Sequence, residues 1–276
     1  VISDALNHRS IIDGIRVANL PKEQRGIFNH MDPVCLENIL EANKKIYKRA
    51  LVVTDGVFSM LGEYQKLKEI RVIVDKFDKE YENGVLLVVD DAHGVGVAGK
   101  TGRGIEEVEG AKADVLIGTF GKAFGADGGY VVANQTIIDY LRESAATYIY
   151  SNSIPPGTAA AALKAIELLD KSVGKKLLKN SKENVTYFKK QMQKVGYLFA
   201  ADSYHPIQPV LIGDPIKTSN LVKKLFKRNI IVTNISFPVV PKGRDEIRVQ
   251  ISAVHTKKDI DLLVKAFEEE KDFNSL

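Results

Sequence analysis

Lys122 stands in Thr119-Phe120-Gly121-Lys122-Ala123-Phe124-Gly125, a stretch of small residues that follows the apolar run Val115-Leu116-Ile117-Gly118. A lysine amine in such a setting has room for a bulky planar carbonyl compound to reach it and form an imine. A second apolar run, Val85 to Val89, ends in Asp90, and His93 follows three positions on. Ligands of an open α/β sheet sit outside the carboxyl ends of its strands, so an acid on one strand end and a lysine on the next face a common space. A carboxylate there would keep a heterocyclic nitrogen protonated, and an imidazole could donate to or accept from a ring oxygen. Amine, carboxylate and imidazole are together what pyridoxal phosphate requires. The plain alternative for Lys122 is an exposed loop lysine. Thr119, Gly121 and the glycine pair Gly128-Gly129 weigh against it.

Two phosphate-binding patterns overlap this region. Gly94-Val95-Gly96-Val97-Ala98-Gly99-Lys100-Thr101 satisfies G-x-x-x-x-G-K-[ST], and Gly94, Gly96 and Gly99 satisfy G-x-G-x-x-G. Either works only where the glycines turn a strand straight into a helix, whose first amides then face the phosphates. Here the apolar run ends at Asp90, and Gly102-Arg103-Gly104 fall where a helix should already be running. Each of those glycines costs a helix about 1 kcal/mol. A glycine-rich surface loop beside the site is the better reading, although a P-loop nucleotide hydrolase is retained as a competing class.

These residues must be carried by an alternation of short β-branched runs and helical patterns, the signature of a mostly parallel sheet covered by helices. Strands are expected at 1–4, 50–54, 85–90, 114–118 and 129–133, and helices at 36–47, 64–80 and 136–143. Pro155-Pro156-Gly157 closes this part, and the alanine-rich 158–169 reads as a linking helix. The expected domains are 1–157, a cofactor-binding α/β domain, and 158–276, a smaller α+β domain. The latter has helices at 174–195, 218–227 and from 258, and strands at 207–212, 230–233 and 246–252. The 276 residues carry a net charge of +4, with lysines concentrated between Lys171 and Lys194. The two aromatics there, Tyr187 and Phe188, form one adjacent pair and are not interleaved with the lysines for base stacking, so a solvated helix face is expected and not a nucleic-acid surface. No apolar run approaches the ~20 residues of a membrane span. The single cysteine, Cys35, allows neither an internal disulfide nor a cysteine-cluster metal site, and is expected to pack in a helix; no metal is expected, and the setting is expected to be cytoplasmic. The chain starts at Val1, as if within a strand, so it is expected to be a piece of something longer, lacking an N-terminal segment.

Asp90-Asp91-Ala92-His93-Gly94-Val95-Gly96, Thr119-Phe120-Gly121-Lys122 and Ile247-Arg248 through His255-Thr256 resemble the α-oxoamine synthases of the fold-type I pyridoxal-phosphate superfamily, over essentially the whole chain. The resemblance implies that Lys122 is the Schiff-base lysine, that Asp90 pairs with the pyridine nitrogen, and that His93 contacts the phenolic oxygen. It places Thr119 near the phosphate and Ser59 in the same pocket. It gives Arg248 the amino-acid carboxylate, a task suited to its bidentate fork; an outward-facing strand residue is the alternative. Asn152 and Ser153 resemble a segment that reaches the partner's phosphate across a homodimer, with a helix cap before Pro155 as the competing reading. His8 resembles a position near the site, or is structural. In place of the family's more usual acidic continuation after Ser59-Met60, this chain has Leu61-Gly62-Glu63.

Within that family, Tyr150-Ser151-Asn152-Ser153 and Phe237 to Gly243 look closest to the glycine C-acetyltransferases, which implies glycine and acetyl-CoA as substrates. The alternative in the same family is an 8-amino-7-oxononanoate synthase, using L-alanine and a pimeloyl thioester. A catalytically silent dimer partner of the same fold is a third class. Retention of Lys122, Asp90, His93 and Arg248 together argues against it, since a structural role needs none of them.

Overall fold

Parallel strands need a crossover between them, and a helix is the usual one. In the computed structural model, which describes residues 1–271, this rule accounts for the first two thirds of the chain. In order these are β1 (Ile2–Asp4), α1 (Arg9–Val17), β2 (Gly26–Phe28), α2 (Pro33–Asn43), β3 (Ala50–Asp55), α3 (Leu67–Asp78), β4 (Val85–Asp90), α4 (Ile105–Glu109), β5 (Val115–Thr119), β6 (Gly129–Ala133), α5 (Gln135–Ser144), α6 (Ala146–Ile149) and α7 (Pro156–Leu169). The strands form one sheet in the order β2-β1-β3-β4-β5-β6. It is parallel throughout except for β6, which runs antiparallel to β5. Alternate residues of β4, Val85, Leu87 and Val89, are buried against Leu36 and Leu40 of α2 and Ile70, Val74 and Phe77 of α3 in one apolar core. Local signals set the helix starts: Asp32 caps α2 by accepting from the Cys35 amide at 3.0 Å, and Pro33 occupies the first turn. Cys35 packs on this core, as expected of it.

The remainder comprises α8 (Ser172–Lys194), β7 (Leu198–Phe199), β8 (Ile207–Leu211), α9 (Pro215–Lys227), β9 (Thr233–Ile235), β10 (Glu246–Gln250) and α10 (Lys257–Glu269). Its antiparallel sheet has the order β7-β8-β10-β9, with a core that includes Phe188, Met192, Leu225, Ile247, Val249 and Phe267. A reciprocal capping box between Thr256 and Asp259 starts α10.

The chain divides into two compact units, Val1–Phe58 with Tyr64–Gly174, and Ser59–Glu63 with the chain from Lys175 onward. Helix α7, which the sequence reading puts at the head of the second domain, groups with the first unit. The strand expected at 230–233 lies instead at Thr233–Ile235. The amides of Arg228, Asn229 and Ile230 close the end of α9 on Leu225 and Phe226 carbonyls, with Asn229 left-handed at φ 62, so that segment is not available for a ladder. The lysines of α8 lie mainly on its exposed side; Lys189 is the buried exception, donating to Asp202 Oδ1 at 2.6 Å and to the Ser203 carbonyl at 2.8 Å. No helix among the described residues is long and apolar enough to cross a membrane.

Candidate active site

Three adjacent parallel strands of the first sheet end in acids, Asp4 on β1, Asp55 on β3 and Asp90 on β4. The register sets Asp55 directly beside Asp90. Asp4 is spent on structure: it accepts from the Leu6 amide (2.8 Å), the Met31 amide (3.0 Å), His30 Nδ1 (2.9 Å) and Gln65 Nε2 (3.2 Å). Asn7 ties the loop after β1 to β3, accepting from the Asp55 amide at 2.8 Å and donating to the Val53 carbonyl at 2.8 Å. That tie delivers His8, whose amide donates to Asp55 Oδ2 at 2.6 Å. The His8 ring also caps α1, with Nδ1 2.8 Å from Ser10 Oγ, so His8 is at once structural and at the site.

A cavity of about 300 Å³ opens beside these strand ends, lined by His8, Ser10, Asp55, Asp90, Ala92, His93, Thr119 and Lys122 together with Ile117 and Gly118. Lys122 comes from the loop joining β5 to β6, which is pinned by Phe120 N to Gly128 O (2.9 Å) and Ala126 N to Phe120 O (2.9 Å). Thr119 Oγ1 donates to the Gly128 carbonyl at 3.1 Å and accepts from the Gly121 amide at 3.1 Å. Asp90 Oδ1 is held by the Ala92 amide at 3.0 Å. Burial raises the Asp55 carboxyl to about 7; the His8 amide and Lys122 oppose that rise, and Asp90 and Asp4 add to it.

The cavity therefore gathers Lys122, Asp90, His93, Thr119 and His8 from the sequence candidates. It does not include Asn152 or Ser153, which are exposed ahead of α7. They are not its cap either, since the N-cap of α7 is Pro155 and no side chain caps the helix. Ser59 and Arg248 belong to the second unit. Arg248 lies on β10, half-buried, and its Nε is buried without a hydrogen-bond partner. Asp55 is not among the sequence candidates, although β3 reads like β4: an apolar run that ends in an acid.

The glycine-rich loop is not a phosphate cradle. The amides of Gly94, Val95, Gly96, Val97 and Ala98 donate to the carbonyls of Asp91, Gly94 and Gly102, and Glu107 accepts from the Thr101 amide (3.1 Å), Thr101 Oγ1 (3.0 Å) and the Arg103 amide (3.1 Å). Asp91 holds the loop from the other side. It is fully buried, accepts from the Ile105 amide at 2.8 Å, and sits where Cβ atoms at Gly94 or Gly104 would come within 2.0 or 1.8 Å of its oxygens.

A lysine amine, a carboxylate fixed at a parallel-strand end and an imidazole around one cavity fit the aldehyde, ring nitrogen and phenolic oxygen of pyridoxal phosphate. Fold and site define a fold-type I pyridoxal-phosphate transferase architecture. Residues 1–267 match the model for aminotransferase class I and II, and the chain belongs to that family. It is 41% identical over 270 residues to the 8-amino-7-oxononanoate synthase of Thermosipho melanesiensis, covering 97% of this chain and 66% of that protein. It is 40% identical over 272 residues to the mitochondrial 2-amino-3-ketobutyrate coenzyme A ligase of Bos taurus, covering 98% of this chain and 62% of that protein. A serine palmitoyltransferase from S. paucimobilis, solved with a bound adduct of pyridoxal phosphate and myriocin, superposes with a TM-score of 0.86 at 28% identity, covering 98% of this chain and 65% of that one. The chain thus spans about two thirds of the length of these relatives.

Proposed function

We propose that the protein is a pyridoxal-phosphate-dependent α-oxoamine synthase, a C-acyltransferase that joins a small α-amino acid to an acyl thioester. The observation that carries this reading is the cavity in which Lys122, Asp90 and His93 meet. When bound there, pyridoxal phosphate supplies an aldehyde for imine formation and a ring that delocalises the electron pair left at the amino acid's α-carbon. Lys122 binds that aldehyde and, as a free amine, takes a proton at Nζ from the substrate's α-carbon. Asp90, steadied by the Ala92 amide, holds the ring nitrogen's proton. His93 would contact the phenolic oxygen, and Thr119 and Ser59 would serve the phosphate, as the family resemblance implies. Thr119 must exchange its bond to the Gly128 carbonyl to donate there. Arg248, whose Nε is buried without a partner, would bind the substrate carboxylate. In the net reaction a bond forms between the α-carbon and the acyl carbon, the C–S bond of the thioester breaks and the thiol leaves with the proton taken from the α-carbon. With L-alanine and a pimeloyl thioester the amino acid's carboxylate then leaves as CO2 and a proton takes its place on the α-carbon, whereas with glycine and acetyl-CoA the carboxylate is retained.

For the particular reaction, the relatives favour an 8-amino-7-oxononanoate synthase, with L-alanine and a pimeloyl thioester, because that name predominates among relatives at 37 to 41% identity. This displaces the first preference drawn from Tyr150 to Ser153 and Phe237 to Gly243. Glycine with acetyl-CoA is kept as the second reading on the strength of the Bos taurus relative. A homodimer in which Asn152 and Ser153 serve the partner's site, and a cytoplasmic location, belong to the same proposal.

Borohydride reduction of the cofactor-loaded full-length protein, followed by peptide mass spectrometry, tests the cofactor site. The expected result is a pyridoxyl group on Lys122 and its loss in Lys122→Ala. Thiol release with L-alanine or glycine against pimeloyl-CoA or acetyl-CoA then separates the two reactions. Unmodified Lys122 together with nucleotide hydrolysis would overturn the reading.

A further inference from the structure

Strand alternation sends successive side chains of β10 to opposite faces. Ile247 and Val249 enter the apolar core of the second unit, so Glu246 and Arg248 share the other face. Glu246 is fully buried, and neither of its carboxylate oxygens has a hydrogen-bond partner. Arg248 Nε is buried and unpartnered in the same way, and so is Ser236 Oγ, next in sequence to the end of the neighbouring strand β9. A buried carboxylate without donors and a buried arginine nitrogen without an acceptor, two residues apart on one face, are each costly. They offset each other only through charge.

We propose that Glu246 is the built-in counter-charge of Arg248, limiting that arginine to a ligand with a single carboxylate and taking up a proton from solvent as the carboxylate arrives. This rests on the assignment of Arg248 to the amino acid's carboxylate. An arriving carboxylate claims the positive field that Glu246 shares, so the O–H form of Glu246 becomes the favoured one. The charged groups facing Glu246 are Arg248 on its own strand, Arg244 just before it and Glu63 on the loop 59–63. Burial raises the Glu246 carboxyl to about 7, Arg244 and Arg248 oppose this, and Glu63 adds to it. Arg244 does not replace Arg248: it is exposed and donates Nη2 to the Ala200 carbonyl at 2.9 Å. With Arg244 engaged by the Ala200 carbonyl and Glu63 adding a further negative charge, Arg248 is left to balance one ligand carboxylate and a second goes unbalanced. The substrate class is therefore the monocarboxylic amino acids, with dicarboxylic ones excluded.

The test is calorimetric titration of glycine, L-alanine and L-aspartate into the full-length protein loaded with pyridoxal phosphate, at pH 6 and 8, in two buffers of different ionisation enthalpy. Wild type is expected to take up more protons at pH 8 than Glu246→Gln. The variant is expected to bind the monocarboxylic amino acids about tenfold more tightly than wild type at pH 8, the factor equivalent to one pKa unit of coupling, and no more tightly at pH 6. L-Aspartate is expected to gain relative to L-alanine in the variant. Equal proton uptake and equal affinities in the two proteins at both pH values would overturn the proposal. If that happens while Arg248→Ala still weakens glycine binding, the carboxylate assignment of Arg248 survives; if Arg248→Ala leaves glycine binding unchanged, that assignment falls too.

Discussion

Replacing Asp55 by asparagine should make the cofactor-free protein more stable at pH 8 than wild type while leaving the two alike near pH 4. Asp55 is 6% exposed, and its carboxyl lies at about 7 in the folded chain against 3.8 for an unperturbed group, mainly because burial penalises its charge. A carboxyl whose folded value is the higher one binds more protons folded than unfolded. Its contribution to stability is therefore complete below pH 3.8 and is lost as the pH rises through the window up to about 7. A difference of about three pH units corresponds to about 4 kcal/mol, a large share of the 5–15 kcal/mol that typically holds a domain. Asparagine does not titrate, and its Oδ1 can still accept from the His8 amide. The assay is urea denaturation followed by circular dichroism at half-unit steps from pH 4 to 8.5. Asp91 and Glu246 also sit at about 7 and steepen the curves of both proteins. The quantity to read is the difference between wild type and variant, which should widen by about 2–4 kcal/mol across the window in favour of the variant. Parallel curves would mean that Asp55 is charged throughout, and the argument from its burial would be wrong.

Three further outcomes follow from the same geometry. Gly104→Ala puts a Cβ 1.8 Å from Asp91 Oδ2 at a backbone φ of 82, and should cost at least about 3 kcal/mol in the same denaturation assay. Glu107→Ala strips three donors of their acceptor, which should cost about 1–3 kcal/mol and bring limited proteolysis into residues 94–104 first. Asp90→Asn should leave the melting temperature within about 2 °C of wild type, as a half-buried strand-end change with its Ala92 bond retained, while slowing thiol release by a factor of about 10²–10⁴.

Most of the first sheet was legible because its strands are apolar runs of five or six residues closed by polar or small ones: β3, β4, β5 and β6 lie within a residue of expectation. What escaped is short and held by other elements. Strand β2, Gly26–Phe28, is three residues long and exists because β1 supplies its ladder. Helix α1 is only nine residues long, its isoleucines Ile11, Ile12 and Ile15 are no more than half-buried, and its start is a histidine cap that no propensity suggests. At the site, Lys122, Asp90 and His93 were legible as residue types at strand ends. Asp55 was missed because its importance lies in a register, Asp55 beside Asp90, and pairing of strands is a property of the sheet and not of either run alone. Glu246 was missed for the reverse reason: a glutamate in a strand reads as solvent-facing, and its full burial in the folded chain is not written in the run of letters around it.

The loop from Gly94 to Thr101 shows how far a pattern of letters can be trusted. A P-loop works by leaving consecutive backbone amides without acceptors at the start of a helix, so that phosphate becomes the acceptor. Here the amides of Gly94, Val95, Gly96, Val97 and Ala98 already donate to backbone carbonyls and that of Thr101 to Glu107, and helix α4 begins only at Ile105 with Gly104 before it. The glycines answer a different demand: two of them make room for the carboxylate of Asp91, whose side chain ties the end of β4 to α4. That tie lies one residue after Asp90 and two before His93. The loop's glycines therefore serve the site by fixing the two residues that face the cavity, and a substitution there should disturb Asp90 and His93 before it affects any phosphate.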